Sequence, residues 1–191
     1  RATGAISGVL GLRLTNEEGS GELFVDVRDV SGSDPAVFAV NNGVSDSFIR
    51  VRDLLSGAIG LRLVNTDTAG DATIIARNVN AGSEGISVAN SGLGGTSVTV
   101  EGTVTAGGTG VSVYNDASAQ AISVWTQGAV QGGHSGVTVS HDGSGSVEVR
   151  ADGMVAGLGG NGVHVGADQS MIWTTLRVFG STITVRSFTI V

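Results

Sequence analysis

The sequence predicts an all-β chain: a single-domain right-handed parallel β-helix, a solenoid of about seven coils of ~25 residues. Three observations predict it. Glycine is 32 of 191 residues and proline 1, against a usual glycine share of roughly 7%. One six-residue motif recurs along the chain at a near-constant step. Around it, aliphatic and polar residues alternate, and nothing holds helical spacing for long.

The motif is glycine, aliphatic, variable, aliphatic, variable, asparagine. It reads GLRLTN at Gly11, GLRLVN at Gly60, GISVAN at Gly85 and GVSVYN at Gly110. Degenerate copies are VFAVNN at Val37, GVTVSH at Gly136 and GVHVGA at Gly162. The starts at 11, 37, 60, 85, 110, 136 and 162 give steps of 26, 23, 25, 25, 26 and 26. Alternation makes this a first strand whose apolar residues face inward: Leu12 and Leu14, Phe38 and Val40, Leu61 and Leu63, Ile86 and Val88, Val111 and Val113, Val137 and Val139, Val163 and Val165.

A second alternating strand follows in each coil. Its inward pairs are Val25 and Val27, Ile49 and Val51, Val98 and Val100, Ile122 and Val124, and Val147 and Val149. The copy near Thr73, ATIIAR, leaves the phase open. A third, shorter element carries Ile6, Val30, Leu55, Val79, Val104, Val130 and Val155, each one or two residues before a small residue or glycine. Three short strands cannot bury an apolar face alone, so each coil must stack on the next. Seven coils at the strand spacing of about 4.8 Å make a rod about 30–35 Å long. Glycine at the corners is expected to supply positive φ.

Asn16, Asn42, Asn65, Asn90 and Asn115 end the first strands at matching places and read as a structural corner ladder, hydrogen-bonded along the axis. His141 and Ala167 take that place in the last two repeats. The repeats fill residues 1–170. Residues 171–191 depart from the pattern, with one glycine and the aromatics Trp173, Phe179 and Phe188. They read as an atypical C-terminal segment that caps the open end and its unpaired strand edges.

Composition excludes several classes. There is no cysteine for a disulfide, a metal or a nucleophile. Net charge is −7, and all ten basic residues are arginine, without a basic cluster, so nucleic acid is not an expected partner. No apolar run approaches the ~18 residues of a membrane-spanning helix, so no membrane insertion of this segment is expected. Hydrophobic content of 40% argues against disorder. The chain begins at Arg1 without a charged-then-apolar leader and reads as an internal piece or a mature product.

Asp116, Asp142 and Asp168 follow the asparagine corner at 26-residue steps, with His141 beside them. They form the candidate binding column. Stacked carboxylates repel unless a cation or a shared proton offsets them, so the column points to a cation or polysaccharide; the alternative is a turn-forming aspartate repeated because the turn repeats. Tyr114 and Trp125 are candidate sugar-stacking rings, or local packing against glycine corners. No Ser-His-Asp set, HExxH or phosphate loop occurs. No catalytic residue, metal ligand or cofactor is assigned.

The stretches VEGTVTAGGTGVSVYN (Val100 to Asn115) and VRADGMVAGLGGNGVHV (Val149 to Val165) resemble the parallel β-helix repeats of bacterial autotransporter passengers and related large surface adhesins. The resemblance covers residues 4–168. It implies a non-enzymatic scaffold, secreted or at the bacterial outer-membrane surface. Its expected partners are a host or neighbouring-cell surface protein or glycan, or further copies of itself. Two alternatives stay open: a polysaccharide-binding or -cleaving β-helix similar to the pectate lyases, and a phage tail or spike module. GGHSG (Gly132 to Gly136) is similar to the Gly-His-Gly segment of polygalacturonases, but no Asp-Asp pair accompanies His134.

Overall fold

The computed structural model describes residues 5–167, 172–178 and 181–187, the last two stretches by their backbone pairing alone. All regular structure among them is β-strand. The chain winds as a parallel β-solenoid of about seven coils. The first strands, from Leu12–Asn16 to Val163–Ala167, form one seven-stranded sheet. The second and third strands form the other sheet, beginning with Ala5–Gly8 and Leu23–Val27. In two coils the second and third strands run together without a break, as Ser47–Gly57 and Ala72–Ala81.

Register is residue on residue. The first-strand columns are Leu12, Val37, Leu61, Ile86, Val111, Val137, Val163 and Leu14, Ala39, Leu63, Val88, Val113, Val139, Val165. This corrects the expectation in one coil. Val37 and Ala39 are the inward pair, and Phe38 and Val40 face out. Ala36, not Val37, stands where the other coils have the motif's glycine, because Leu12 pairs with Val37 across a step of 25. The large Phe38 ring stays at the surface, beneath the Arg13 guanidinium at 5.5 Å.

The second strands carry three inward columns rather than two. Val25, Ile49, Ile74, Val98, Val124 and Val149 form the central one. Ile122 therefore stacks on Thr96, one inward position earlier than the pairing with Val98 that its sequence suggests. The ATIIAR phase is settled with Ala72, Ile74 and Ala76 buried. The third strands stack Ile6, Val30, Leu55, Val79, Val104, Val130 and Val155 as expected. β-branched side chains dominate these columns because their stiff χ1 fits like on like at a fixed pitch.

After the seventh first strand, Ile172–Val178 pairs in parallel with Val147–Ala151, and Ser181–Ser187 turns back antiparallel to it. The winding thus gives way to a hairpin inside residues 171–191.

Glycine acts here less through φ than through space. Among the described residues only Gly19 is recorded with positive φ, at 74°. The motif glycines instead lie in a column, Gly60, Gly85, Gly110, Gly136 and Gly162. A Cβ on any of the first four would fall inside contact distance of the next glycine's carbonyl oxygen. Each of those carbonyls also accepts a backbone N–H from the coil before, as Gly110 does from Ile86 at 2.9 Å. Coils pinned at hydrogen-bonding distance leave no room for a methyl group there. Gly85→Ala is therefore expected to lower stability by ~1–3 kcal/mol, the cost of overpacking. Chemical denaturation reads this as a lower midpoint at an unchanged slope.

Candidate functional site

The first corner, between the first and second strands, holds the residues that sequence singled out. Its inner lining is polar. Asn16, Asn41, Asn65, Asn90, Asn115, His141 and Ala167 stack in register. Asn41 thus replaces the expected Asn42. The two adjoin in VFAVNN, and the inward phase of Val37 and Ala39 carries the interior to Asn41. Asn42 begins the turn outside, its N–H donating to the Asn16 carbonyl at 2.9 Å.

The buried amides do two jobs. Each closes its own turn: Asn41 Nδ2 donates to the Ser45 carbonyl at 2.9 Å, Asn90 Nδ2 to Gly94 at 3.2 Å, and Asn115 Nδ2 to Gln120 at 3.0 Å. The Oδ1 atoms of Asn41 and Asn90 also accept the N–H of Gly43 and Gly92. The amides link coils too: Asn16 Nδ2 donates directly to Asn41 Oδ1 at 2.8 Å, and later amides are joined through hydroxyls that open the second strand. Asn41 Nδ2 donates to Ser47 Oγ (2.9 Å), which donates to Asn65 Oδ1 (2.7 Å). Asn90 Nδ2 donates to Thr96 Oγ1 (3.1 Å), which donates to Asn115 Oδ1 (2.6 Å). Sequence reading missed these hydroxyls; Ser47 and Thr96, each six residues after a ladder asparagine, were the available signal.

Of the candidate binding column, the structure describes Asp116, His141 and Asp142. Asp116 and Asp142 are half-buried on the outer side of the corner, one coil apart. Asp116 Oδ1 accepts the Ser118 N–H at 2.9 Å, which makes it a turn former. Asp142 Oδ2 accepts the Tyr114 hydroxyl at 2.9 Å. His141 points the opposite way, wholly buried in the ladder. Its Nε2 lies 3.1 Å from the Gly145 carbonyl, and its Nδ1 is buried without a hydrogen-bond partner. Asp168 lies outside the described residues. No group of three His, Asp or Glu side chains that could hold a metal ion occurs among the described residues.

The other flagged residues are placed separately. His134 is exposed at the corner before the first strand. The Trp125 indole N–H donates to Asp152 at 2.8 Å, and the Arg150 guanidinium sits 4.6 Å from its ring centroid. Thr73, Ser97 and Ser123 stand side by side along a shallow hollow of about 190 Å³ that Asp71 borders. A larger hollow, about 470 Å³, lies outside the first corner between Glu18, Asn42, Thr66 and Asp67.

Two further patterns went unread in the sequence. Carboxylates and amides of one coil accept backbone N–H groups of the next at the corners: Asp46 from Asp71, Asp71 from Gly95, Asp29 from Leu54, Asn78 from Thr103. The 25-residue step from Asp46 to Asp71 was the signal. In addition, arginines on the second sheet pair across coils. Arg28 meets Asp53, Arg77 meets Asp53, and Arg52 meets Asp26.

The outward side of the seven-stranded sheet is different in kind. One column reads Arg13, Phe38, Arg62, Ser87, Ser112, Thr138, His164, and the next Thr15, Val40, Val64, Ala89, Tyr114, Ser140, Gly166. Neither contains a carboxylate.

No protein-family model matches this chain, and no curated protein or solved structure matches it.

The corner yields two expectations. Asn90→Ala removes an amide whose partners are Gly92, Gly94 and Thr96, leaving buried groups unpaired. A loss of about 1–3 kcal/mol is expected in urea unfolding, several times the effect of Ser87→Ala on the outer face. The second concerns pH. Burial pushes the His141 imidazole below its ordinary value of 6.5, with the Gly145 carbonyl and the Asp142 charge acting the other way. The folded chain thus favours neutral His141. Below about pH 6.5 the unfolded chain binds a proton that the folded chain resists. His141's share of stability is full above that pH and is lost as pH falls. His141→Asn is expected to flatten this slope in melts between pH 7 and pH 5, and to raise the midpoint by supplying an oxygen for the Gly143 N–H.

Proposed function

We propose that this chain is a non-enzymatic scaffold, a secreted or bacterial cell-surface β-solenoid of the kind found in autotransporter-like adhesin passengers. It extends from the surface and presents its outer faces to a host or neighbouring cell, or to further copies of itself. One observation carries the reading: seven first strands stacked in register over an interior whose side chains hold coils together, with His141 in that interior and Asp116 in a turn. Asp116 accepts the N–H of Ser118 within its own turn and His141 lines the core, which supports a structural use of both. The absence of cysteine and the acidic balance suit an exported chain.

The test is display of the chain on a heterologous bacterial surface, with a length-matched solenoid as control. Adherence to cultured cells and clumping of the displaying bacteria are scored, beside release of reducing sugar from polysaccharides by the purified chain. A gain in adherence or clumping, with no sugar release, is the expected result. Turnover of any polysaccharide, or no gain in either cell assay, overturns the scaffold reading. A trimer mass in solution would move the protein to the spike class.

A further inference from the structure

We propose that the outward face of the seven-stranded sheet binds a linear acidic glycan, laid along the solenoid axis with its carboxylates on Arg13 and Arg62. The inference deepens the surface-scaffold reading, on which its biological setting rests.

The first support is an exception in the charge distribution. The chain has 17 acidic and 10 basic residues, yet none of the outward positions on this face, two on each of seven strands, holds a carboxylate. Elsewhere the described arginines sit with acids: Arg28 with Asp53, Arg50 with Glu101, Arg52 with Asp26, Arg77 with Asp53, Arg150 with Asp152. Arg13 and Arg62 are exposed, and among the described residues neither has a carboxylate within 4.0 Å. The nearest acids in sequence, Glu17 beyond Arg13 and Asp67 beyond Arg62, stand four and five residues along the chain. Arg13 lies over the Phe38 ring, 5.5 Å from its centroid, so among the described residues the two arginines keep their charge without a carboxylate in ion-pair range on an otherwise acidic protein.

The second support is pitch. Arg13, Phe38 and Arg62 occupy one column on three successive coils, so the two guanidinium-bearing positions are about 10 Å apart. Ser87, Ser112 and Thr138 continue that column, one hydroxyl per coil. An extended glycan advances by about one strand spacing per sugar. Carboxylates on alternate sugars then fall two coils apart, matching Arg13 and Arg62. The hydroxyl column meets the sugars beyond at one per coil, and Phe38, on whose ring Arg13 stacks, adds the apolar surface left beside that contact between the two charges. An extended acidic peptide fits less well: side chains on its one face repeat every ~6.6 Å, out of step with both one coil and two. Arginine is also the cation suited to a planar carboxylate, since its fork donates two parallel hydrogen bonds.

Calorimetric titration of the purified chain tests this. The probes are a hyaluronan oligosaccharide, which carries a uronate on alternate sugars, a neutral cello-oligosaccharide of equal length, and a poly-glutamate peptide. The expected result is binding of hyaluronan alone, weakening with added salt. Arg13→Gln with Arg62→Gln should cut that affinity about tenfold or more, the loss of charge-assisted hydrogen bonds. Arg77→Gln, on the other sheet, should not change it. Both substituted sites are exposed, so an unchanged melting midpoint verifies folding. The proposal is overturned by no binding of hyaluronan, by equal binding of the neutral glycan, by tighter binding of poly-glutamate, or by an equal loss in Arg77→Gln. The titration is independent of the cell assays. Binding here without adherence there overturns the surface role and leaves the glycan face standing; adherence without binding does the reverse.

Discussion

The spacing of hydrogen-bonded parallel strands, about 4.8 Å, governs everything else in this molecule. Each coil is tied to the next along all three of its strands, so the pitch is the same at every side and every corner. A column of side chains must then accept its own kind at that distance. Val111 on Val137 and Val124 on Val149 do so readily. Backbones must also pass each other at that distance where no strand is present, and there the motif glycines are required. Gly85 lies so close to the Gly110 carbonyl that the coil spacing itself selects against a methyl group. Where the strand ladder lapses at corners, Asp46, Asp71, Asp29 and Asn78 restore it by accepting the orphaned N–H groups. The backbone thus keeps its hydrogen bonds through the turns, as a buried polar chain must.

The same constraint explains a polar column inside a hydrophobic rod. At the first corner the chain turns sharply, and its inward-pointing carbonyls and N–H groups have no strand partner. A carboxamide satisfies both kinds, with a donor for the carbonyl four or five residues on and an acceptor for the glycine N–H two residues on. An aliphatic side chain would leave both unpaired. The hydroxyls of Ser47 and Thr96 then join Asn41 to Asn65 and Asn90 to Asn115, and Asn16 bonds Asn41 directly. They alternate with Ala72 and Ile122 in their column, so the polar chain is broken between Asn65 and Asn90 into short satisfied units. His141 extends the column imperfectly. It keeps the donor to Gly145 and loses the acceptor role, leaving Nδ1 unpartnered.

Much of this was legible because a solenoid writes its period into the sequence. The step near 25, the alternation and the corner asparagines led directly to strands, columns and ladder. The failures share one cause: alternation fixes a strand's phase only if its first residue is identified. In VFAVNN two apolar residues flank each candidate phase and two asparagines end it, so Asn42 looked as good as Asn41. Pairing of Leu12 with Val37 decides the matter, and that is a contact between coils, outside any local window. Ile122 shifted for a similar reason, since Thr96, its true neighbour, does not look like core. His141 was legible in its ladder place. Adjacent residues at a strand end face opposite ways, so neighbours in sequence, His141 and Asp142, cannot share a surface site.

The division between inside and outside has a functional consequence. Inward residues answer to the pitch, and most corner residues answer to the backbone. Only the outward strand positions are free to vary without disturbing either. On the second sheet that freedom is used internally, since Asp53 lies between Arg28 and Arg77 and Arg150 lies over Trp125. Cross-coil pairs of opposite sign favour one stacking order over others, and their exposure makes each weak singly. The first sheet spends its outward positions otherwise. Its arginines bracket Phe38 without a carboxylate, and its later coils present hydroxyls at a constant pitch. A surface that contributes little to coil order yet keeps aromatic, cationic and hydroxyl groups in one column has the composition of an interface rather than of a staple. Its periodicity also suits a partner that is itself periodic along the same axis.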